Sequence, residues 1–163
     1  MKSYLYHQLS LTNQEIRLLL VAPGPWGSDL VCELHHASLG LRPEYEALSY
    51  TWGDENKRRD IVIDDFRVSV TVNLEVALRH LRLESEPRVL WADAVCINQQ
   101  DDNEKSKQVQ LMLDIFASAS KVLAWTGEAS YDSDDAMDLI STFWRFLGKI
   151  RDDKFEDLFH PIE

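Results

Sequence analysis

The sequence predicts an α/β domain with a largely parallel central sheet flanked by helices, preceded by a β-rich N-terminal part. Strand and helix patterns alternate after residue 60, which is the order typical of parallel sheets with helical crossovers. The short apolar run Lys121–Trp125 indicates a strand that is buried on both faces. Before residue 60, apolar runs separated by turn residues indicate mainly strands.

The first part of the chain contains three predicted strands and a hairpin. Apolar runs place strands at residues 16–21, 30–34 and 45–52, with a turn at residues 24–27, Gly-Pro-Trp-Gly. Residues 59–71, RDIVIDDFRVSVT, alternate apolar and polar side chains on both sides of Asp64-Asp65. This pattern predicts two short strands joined by a tight turn.

The second part supplies the helices. Asn73 is the predicted N-cap of a helix, a strand is predicted at residues 88–95, and a helix is predicted at residues 103–118. A last helix, capped by Ser133, is predicted from an apolar stripe of Met137, Ile140, Phe143, Trp144 and Leu147.

Composition and charge limit the function classes. The chain has 163 residues, 45% of them hydrophobic, which is enough for one domain with a substantial core. A formal charge of −11 disfavours nucleic-acid binding. Apolar runs are too short to span a membrane, and we expect a cytoplasmic protein whose two cysteines stay reduced. The histidines lack metal-ligand spacing, and there is no glycine-rich phosphate loop.

Residues 90–109, LWADAVCINQQDDNEKSKQV, place polar side chains where a central strand should end. Asp93 interrupts the apolar run, and Asn98 and Gln99 follow it, at the position where α/β domains bind ligands. Glu104 has two readings that remain open. It stands at N3 of a helix capped by Asp101, as in a capping box, and it also lies at the edge of the inward-facing helix stripe.

Two segments resemble a known family. YEALSYTWGD at residues 45–54 and LWADAVCINQQDDNEKSKQVQLMLDIFASASKVLAWTG at residues 90–127 are similar to the two hallmark blocks of the heterokaryon-incompatibility (HET) domain of filamentous fungi. The resemblance implies a HET domain core at residues 1–127. Residues 128–163 would be a helical extension of the same domain, cut from a longer protein.

The resemblance implies a cell-death effector in nonself recognition and a distant likeness to flavodoxin-like TIR domains, some of which cleave NAD⁺. On that reading NAD⁺ is a substrate, there is no bound cofactor or metal, and Glu104 is the catalytic carboxylate. The residues expected to bind NAD⁺ lie around the strand ends: Ser49, Tyr50, Trp52, Gly53, Asp93, Asn98 and Gln99.

An alternative reading is a non-enzymatic module that signals death by self-assembly or by recruiting a partner. We expect a homo-oligomer in the active state, with sensor or repeat domains elsewhere in a longer chain. A hydrolase that uses Cys96 as its nucleophile is a third alternative, which no sequence context supports.

Overall fold

The computed structural model describes residues 6–10 and 13–128. The chain divides into two units, Met1–Trp125 and Thr126–Glu163, and of the second unit only its first three residues are described. The helix predicted after Ser133 lies outside the described residues. The domain boundary predicted after residue 127 therefore stays a prediction.

The first unit is built on one seven-stranded sheet with strand order β5-β4-β2-β1-β6-β3-β7. Its strands are β1 Glu15–Val21, β2 Val31–Ser38, β3 Glu46–Tyr50, β4 Arg58–Ile63, β5 Phe66–Thr71, β6 Arg88–Trp91 and β7 Lys121–Trp125. Its helices are α1 Val72–Leu81, the short α2 Asp93–Cys96 and the long α3 Asp102–Ser118, and a 3-10 turn covers Leu39–Leu41.

The α/β class is confirmed, but the sheet is mixed rather than largely parallel. β3 pairs in parallel with both β6 and β7, and β2 pairs in parallel with β4. β1 is antiparallel to both of its neighbours, and β4 and β5 form an antiparallel hairpin. The prediction relied on Lys121–Trp125 being buried on both faces, and this was wrong, because β7 is an edge strand of the described sheet and Lys121 and Ala124 are exposed. The antiparallel strand β1 is instead the one buried on both faces.

The hairpin at Asp64-Asp65 is confirmed. Both residues have positive φ, 49° and 66°, as a two-residue turn of the I′ kind requires. The predicted cap of the next helix is wrong, because Thr71, and not Asn73, caps α1 and accepts a hydrogen bond from the Leu74 N–H. Asn73 lies inside the first turn, where its side chain is free to bond elsewhere.

The strand predicted at residues 88–95 is wrong in its second half. β6 ends at Trp91, and the chain turns at once into α2. The Asp93 carboxylate accepts a hydrogen bond from the Ala94 N–H at 2.7 Å, a local side-chain contact of the kind that favours a helix start over a strand. The apolar Ala94, Val95 and Cys96 still serve the core, since Val95 and Cys96 are buried in α2.

Candidate functional site

The carboxyl ends of the parallel strands β6, β3 and β7 meet at one edge of the sheet, which we call the carboxyl edge. Trp52 follows β3 and Asp93 follows β6. The Trp52 Nε1–H donates to Asp93 Oδ2 at 3.0 Å and so joins the two strand ends. Parallel strands bring these segments together although they are 41 residues apart in the chain.

Two further predicted site residues surround Asp93. Gln99 Nε2 donates to the Asp93 carbonyl oxygen at 2.9 Å, and this bond closes the loop after α2 onto its start. The Tyr50 hydroxyl is buried near the Asp93 carboxylate without a hydrogen bond of good geometry between them. Burial, and then the neighbouring carboxylate, raise the pKa of Tyr50 far above its ordinary value. Tyr50 therefore stays neutral at physiological pH, with a hydroxyl able to donate.

Asn73 stabilises the other half of the carboxyl edge. Its Nδ2 donates to the Thr51 carbonyl oxygen, and its Oδ1 accepts from Trp125 Nε1 at 3.0 Å. One side chain thereby joins the ends of β3 and β7. Gly53 has a φ of +76°, and a Cβ placed there would lie 3.3 Å from the Asn73 Cβ. The structure thus gives Gly53 a conformational role at the turn after β3.

Glu104 is held at the start of α3. Asp101 Oδ1 caps the helix by accepting from the Asn103 and Glu104 N–H groups at 3.0 and 3.1 Å. The reciprocal half of a capping box is absent here. The Asp101 N–H bonds the Asn98 carbonyl oxygen, and Glu104 Oε1 instead accepts from the Asn98 N–H at 2.7 Å.

Arg17 binds both oxygens of the same carboxylate. Its Nη1 donates to Glu104 Oε1 at 2.6 Å and its Nη2 donates to Glu104 Oε2 at 2.9 Å. Arg17 is 1% exposed and Glu104 is 7% exposed, so this is a buried bidentate ion pair. Nη1 also donates to the Cys96 carbonyl oxygen, at 3.2 Å, and ties the pair to the end of α2.

The predicted site residues therefore form two groups. The first group consists of Tyr50, Trp52 and Gln99 around Asp93. The second consists of Glu104 with Arg17 and the Asn98 N–H, which both bond its carboxylate. Ser49 is exposed on β3, and the Asn98 side chain accepts from the Gln100 N–H at 3.2 Å.

Sequence reasoning missed Arg17, and it gave Asn73 a capping role instead of the bridge between the ends of β3 and β7. A signal for Arg17 was present, since it shares a strand face with Leu19 and Val21 inside an apolar run, and a charge there needs a buried partner.

The cysteines and the histidines provide no alternative centre in the described ranges. Cys32 and Cys96 are both buried free thiols, and burial raises the pKa of each to about 12. A reactive cysteine requires the opposite shift and access to solvent, whereas Cys96 is fully buried. Residues 6–10 and 13–128 contain no group of three or more His, Cys, Asp or Glu side chains arranged to hold a metal ion. Within the same residues, no helix combines the length and the apolar character needed to cross a bilayer.

Fold and site together define an α/β domain with a connected polar cluster at the carboxyl ends of its parallel strands. The family model described as heterokaryon incompatibility protein (HET) matches residues 45–156, which is 112 of the 163 residues. The chain therefore belongs to the HET family.

One curated relative is heterokaryon incompatibility protein 6, OR allele, of Neurospora crassa, which is 40% identical over 164 aligned positions. The alignment covers 91% of this chain and 24% of that protein, so the chain spans about a quarter of the relative's length. No solved structure matches the chain.

Proposed function

We propose that this chain is a cell-death effector domain in fungal nonself recognition, the process called heterokaryon incompatibility. Membership of the HET family supports the proposal, as does the printed name of the Neurospora crassa relative. Because that relative is about four times the length of the aligned region, sensor or repeat domains would lie elsewhere in a longer chain. The expected location of such an effector is the cytoplasm.

The contacts of Glu104 favour signalling without catalysis by that residue. A carboxylate that stabilises an oxocarbenium-like state, or orients ribose hydroxyls, must reach the substrate. Both Glu104 oxygens are instead occupied by Arg17 and by the Asn98 N–H, and the side chain is buried. This single observation carries the proposal that Glu104 has a structural role, and a domain that does not use this carboxylate for catalysis would act by self-assembly or by recruiting a partner. The expected active state is a homo-oligomer.

NAD⁺ cleavage is the second candidate, and the carboxyl edge is the observation that favours it. Trp52 offers an indole face for stacking on a base, and Asp93 and Tyr50 place a carboxylate and a neutral hydroxyl beside it. Further binding candidates are Ser49 on β3, together with Gly53, Asn98 and Gln99 in the loops that follow the strands. In this candidate NAD⁺ is a substrate, and Glu104 becomes catalytic only if it leaves Arg17.

The order of events during killing separates the two candidates. The chain is expressed from an inducible promoter in a filamentous fungus, and vital-dye uptake and total NAD⁺ are followed in the same culture. Assembly signalling predicts that NAD⁺ stays at the uninduced level until membranes fail. NAD⁺ loss that precedes dye uptake, together with nicotinamide release by the purified chain, would instead establish the enzyme. Absence of death on induction would contradict the effector proposal itself.

A further inference from the structure

The segment Tyr6–Ser10, here called the N-terminal segment, lies against Arg17 of the Arg17–Glu104 pair. The guanidinium carbon of Arg17 is 4.9 Å from the centroid of the Tyr6 ring, within cation–π range. Arg17 Nη2 also donates to the His7 carbonyl oxygen at 2.5 Å. The segment therefore contributes one face and one acceptor to the environment of a buried charge.

The same segment also holds α2. The Tyr6 hydroxyl donates to the Val95 carbonyl oxygen at 3.0 Å, while Arg17 bonds the carbonyl oxygen of the next residue, Cys96. Burial raises the pKa of Tyr6 to about 12, so this hydroxyl remains a donor at neutral pH. These two bonds satisfy the last carbonyl groups of a helix that begins with Asp93 of the carboxyl edge.

The N-terminal segment lies outside the sheet. Residues 6–10 belong to no helix or strand, and His7 and Gln8 are exposed. Its described contacts include those of Tyr6 and His7, the buried Leu9 and the Ser10 N–H, which donates to Glu15 Oε2. A segment without ladder hydrogen bonds opens at lower free energy than the strands on which it rests.

We propose that the N-terminal segment is a releasable latch on the Arg17–Glu104 pair. Closed, it excludes water from the pair and fixes the end of α2. Open, it exposes the Glu104 carboxylate to solvent and frees Arg17 of two of its neighbours. Access to Glu104 is thus controlled by a segment about a hundred residues earlier in the chain, without unfolding of the sheet.

Carbodiimide labelling of carboxylates, read by mass spectrometry of peptides, tests the latch. Tyr6→Ala removes both the hydroxyl bond and the ring, and we expect the labelling rate of Glu104 to rise about ten-fold. Tyr6→Phe keeps the ring and should give a smaller rise. His7→Ala is the matched control, because it keeps the carbonyl group that Arg17 uses and should not change the rate.

Glu75 is the internal reference. It is 2% exposed and forms ion pairs with Arg59 and Arg79. These ion pairs do not involve the N-terminal segment. An unchanged Glu104 rate in both Tyr6 variants would overturn the proposal. So would equal increases at Glu104 and Glu75, which would indicate global unfolding. Because labelling needs no cell-death activity, either result would leave the proposed function standing.

Discussion

The Arg17–Glu104 pair gives the sharpest stability prediction. Replacing Glu104 by Gln removes the carboxylate while keeping an acceptor for the Asn98 N–H, and replacing Arg17 by Met removes the guanidinium at similar volume. Each single variant leaves one buried charge without its partner. Breaking a buried pair in this way costs roughly 3–5 kcal/mol.

The double variant Arg17→Met/Glu104→Gln contains neither charge. Neutral replacement of a whole buried pair costs far less than breaking it, so we expect a loss of only about 1–3 kcal/mol. If the two residues acted independently, the losses of the single variants would add to roughly 6–10 kcal/mol in the double variant. The difference between that sum and the expected loss gives a coupling energy of about 3 kcal/mol or more. The side-chain exposures of 1% and 8% show that the pair is buried, so the small energies typical of surface ion pairs do not apply to it.

Urea unfolding at 25 °C measures these changes. With a slope of about 1.5 kcal/mol per molar, a 3 kcal/mol loss lowers the midpoint by about 2 M. Arg17→Lys, which keeps the charge but not the bidentate geometry, is the milder variant if a single change prevents folding. Additive losses, or single variants within about 0.5 kcal/mol of wild type, would refute the assignment of Glu104 to this pair.

Three further changes have defined outcomes. Because burial raises the pKa of Cys32 and Cys96 from 9.0 to about 12, the thiolates favour the unfolded chain. The stability that the two buried neutral thiols contribute is complete below pH 9 and is lost as the pH rises towards 12. Between about pH 8 and 11, the urea midpoint of the wild type should therefore fall more than that of the Cys32→Ala/Cys96→Ala variant. Asn73→Ala leaves Trp125 Nε1 without its acceptor and should cost about 1–3 kcal/mol by thermal unfolding, and a change below about 0.5 kcal/mol would argue against the bridge. Asp65→Gly relieves a φ of 66° and should stabilise the chain by about 0.5–1 kcal/mol, whereas a loss would contradict the assigned turn geometry.

The fold was predictable where the signal is local. The hairpin at Asp64-Asp65 needs only alternating side chains and two residues that tolerate positive φ, and both are legible in the sequence. The end of β6 could not be predicted, because the apolar run Ala94, Val95 and Cys96 fits a buried strand and a buried helical turn equally well. The direction of β1 depends on which strands flank it, and the sequence of one strand does not contain that information.

The candidate site, like the fold, was only partly predictable from the sequence. Trp52 and Asp93 were both predicted as members of one site around the strand ends, and the structure joins them at 3.0 Å. The bond between Arg17 and Glu104 spans 87 residues and links a strand of the β-rich part to α3. A helix stripe showed that Glu104 faces inward, but only the packing of α3 beside β1 decides whether it meets a ligand or a guanidinium.

Cell death caused by the double variant tests the structural role of Glu104 most directly. Wild type, Glu104→Gln and Arg17→Met/Glu104→Gln are induced side by side in a filamentous fungus, with Glu33→Gln as an exposed carboxylate control. Dye uptake is scored against the amount of folded protein in each strain. The account predicts that the double variant kills like wild type per folded molecule, while Glu104→Gln loses folded protein. A double variant that is fully folded yet does not kill would contradict it, because at least one of the two charged side chains would then be required for killing.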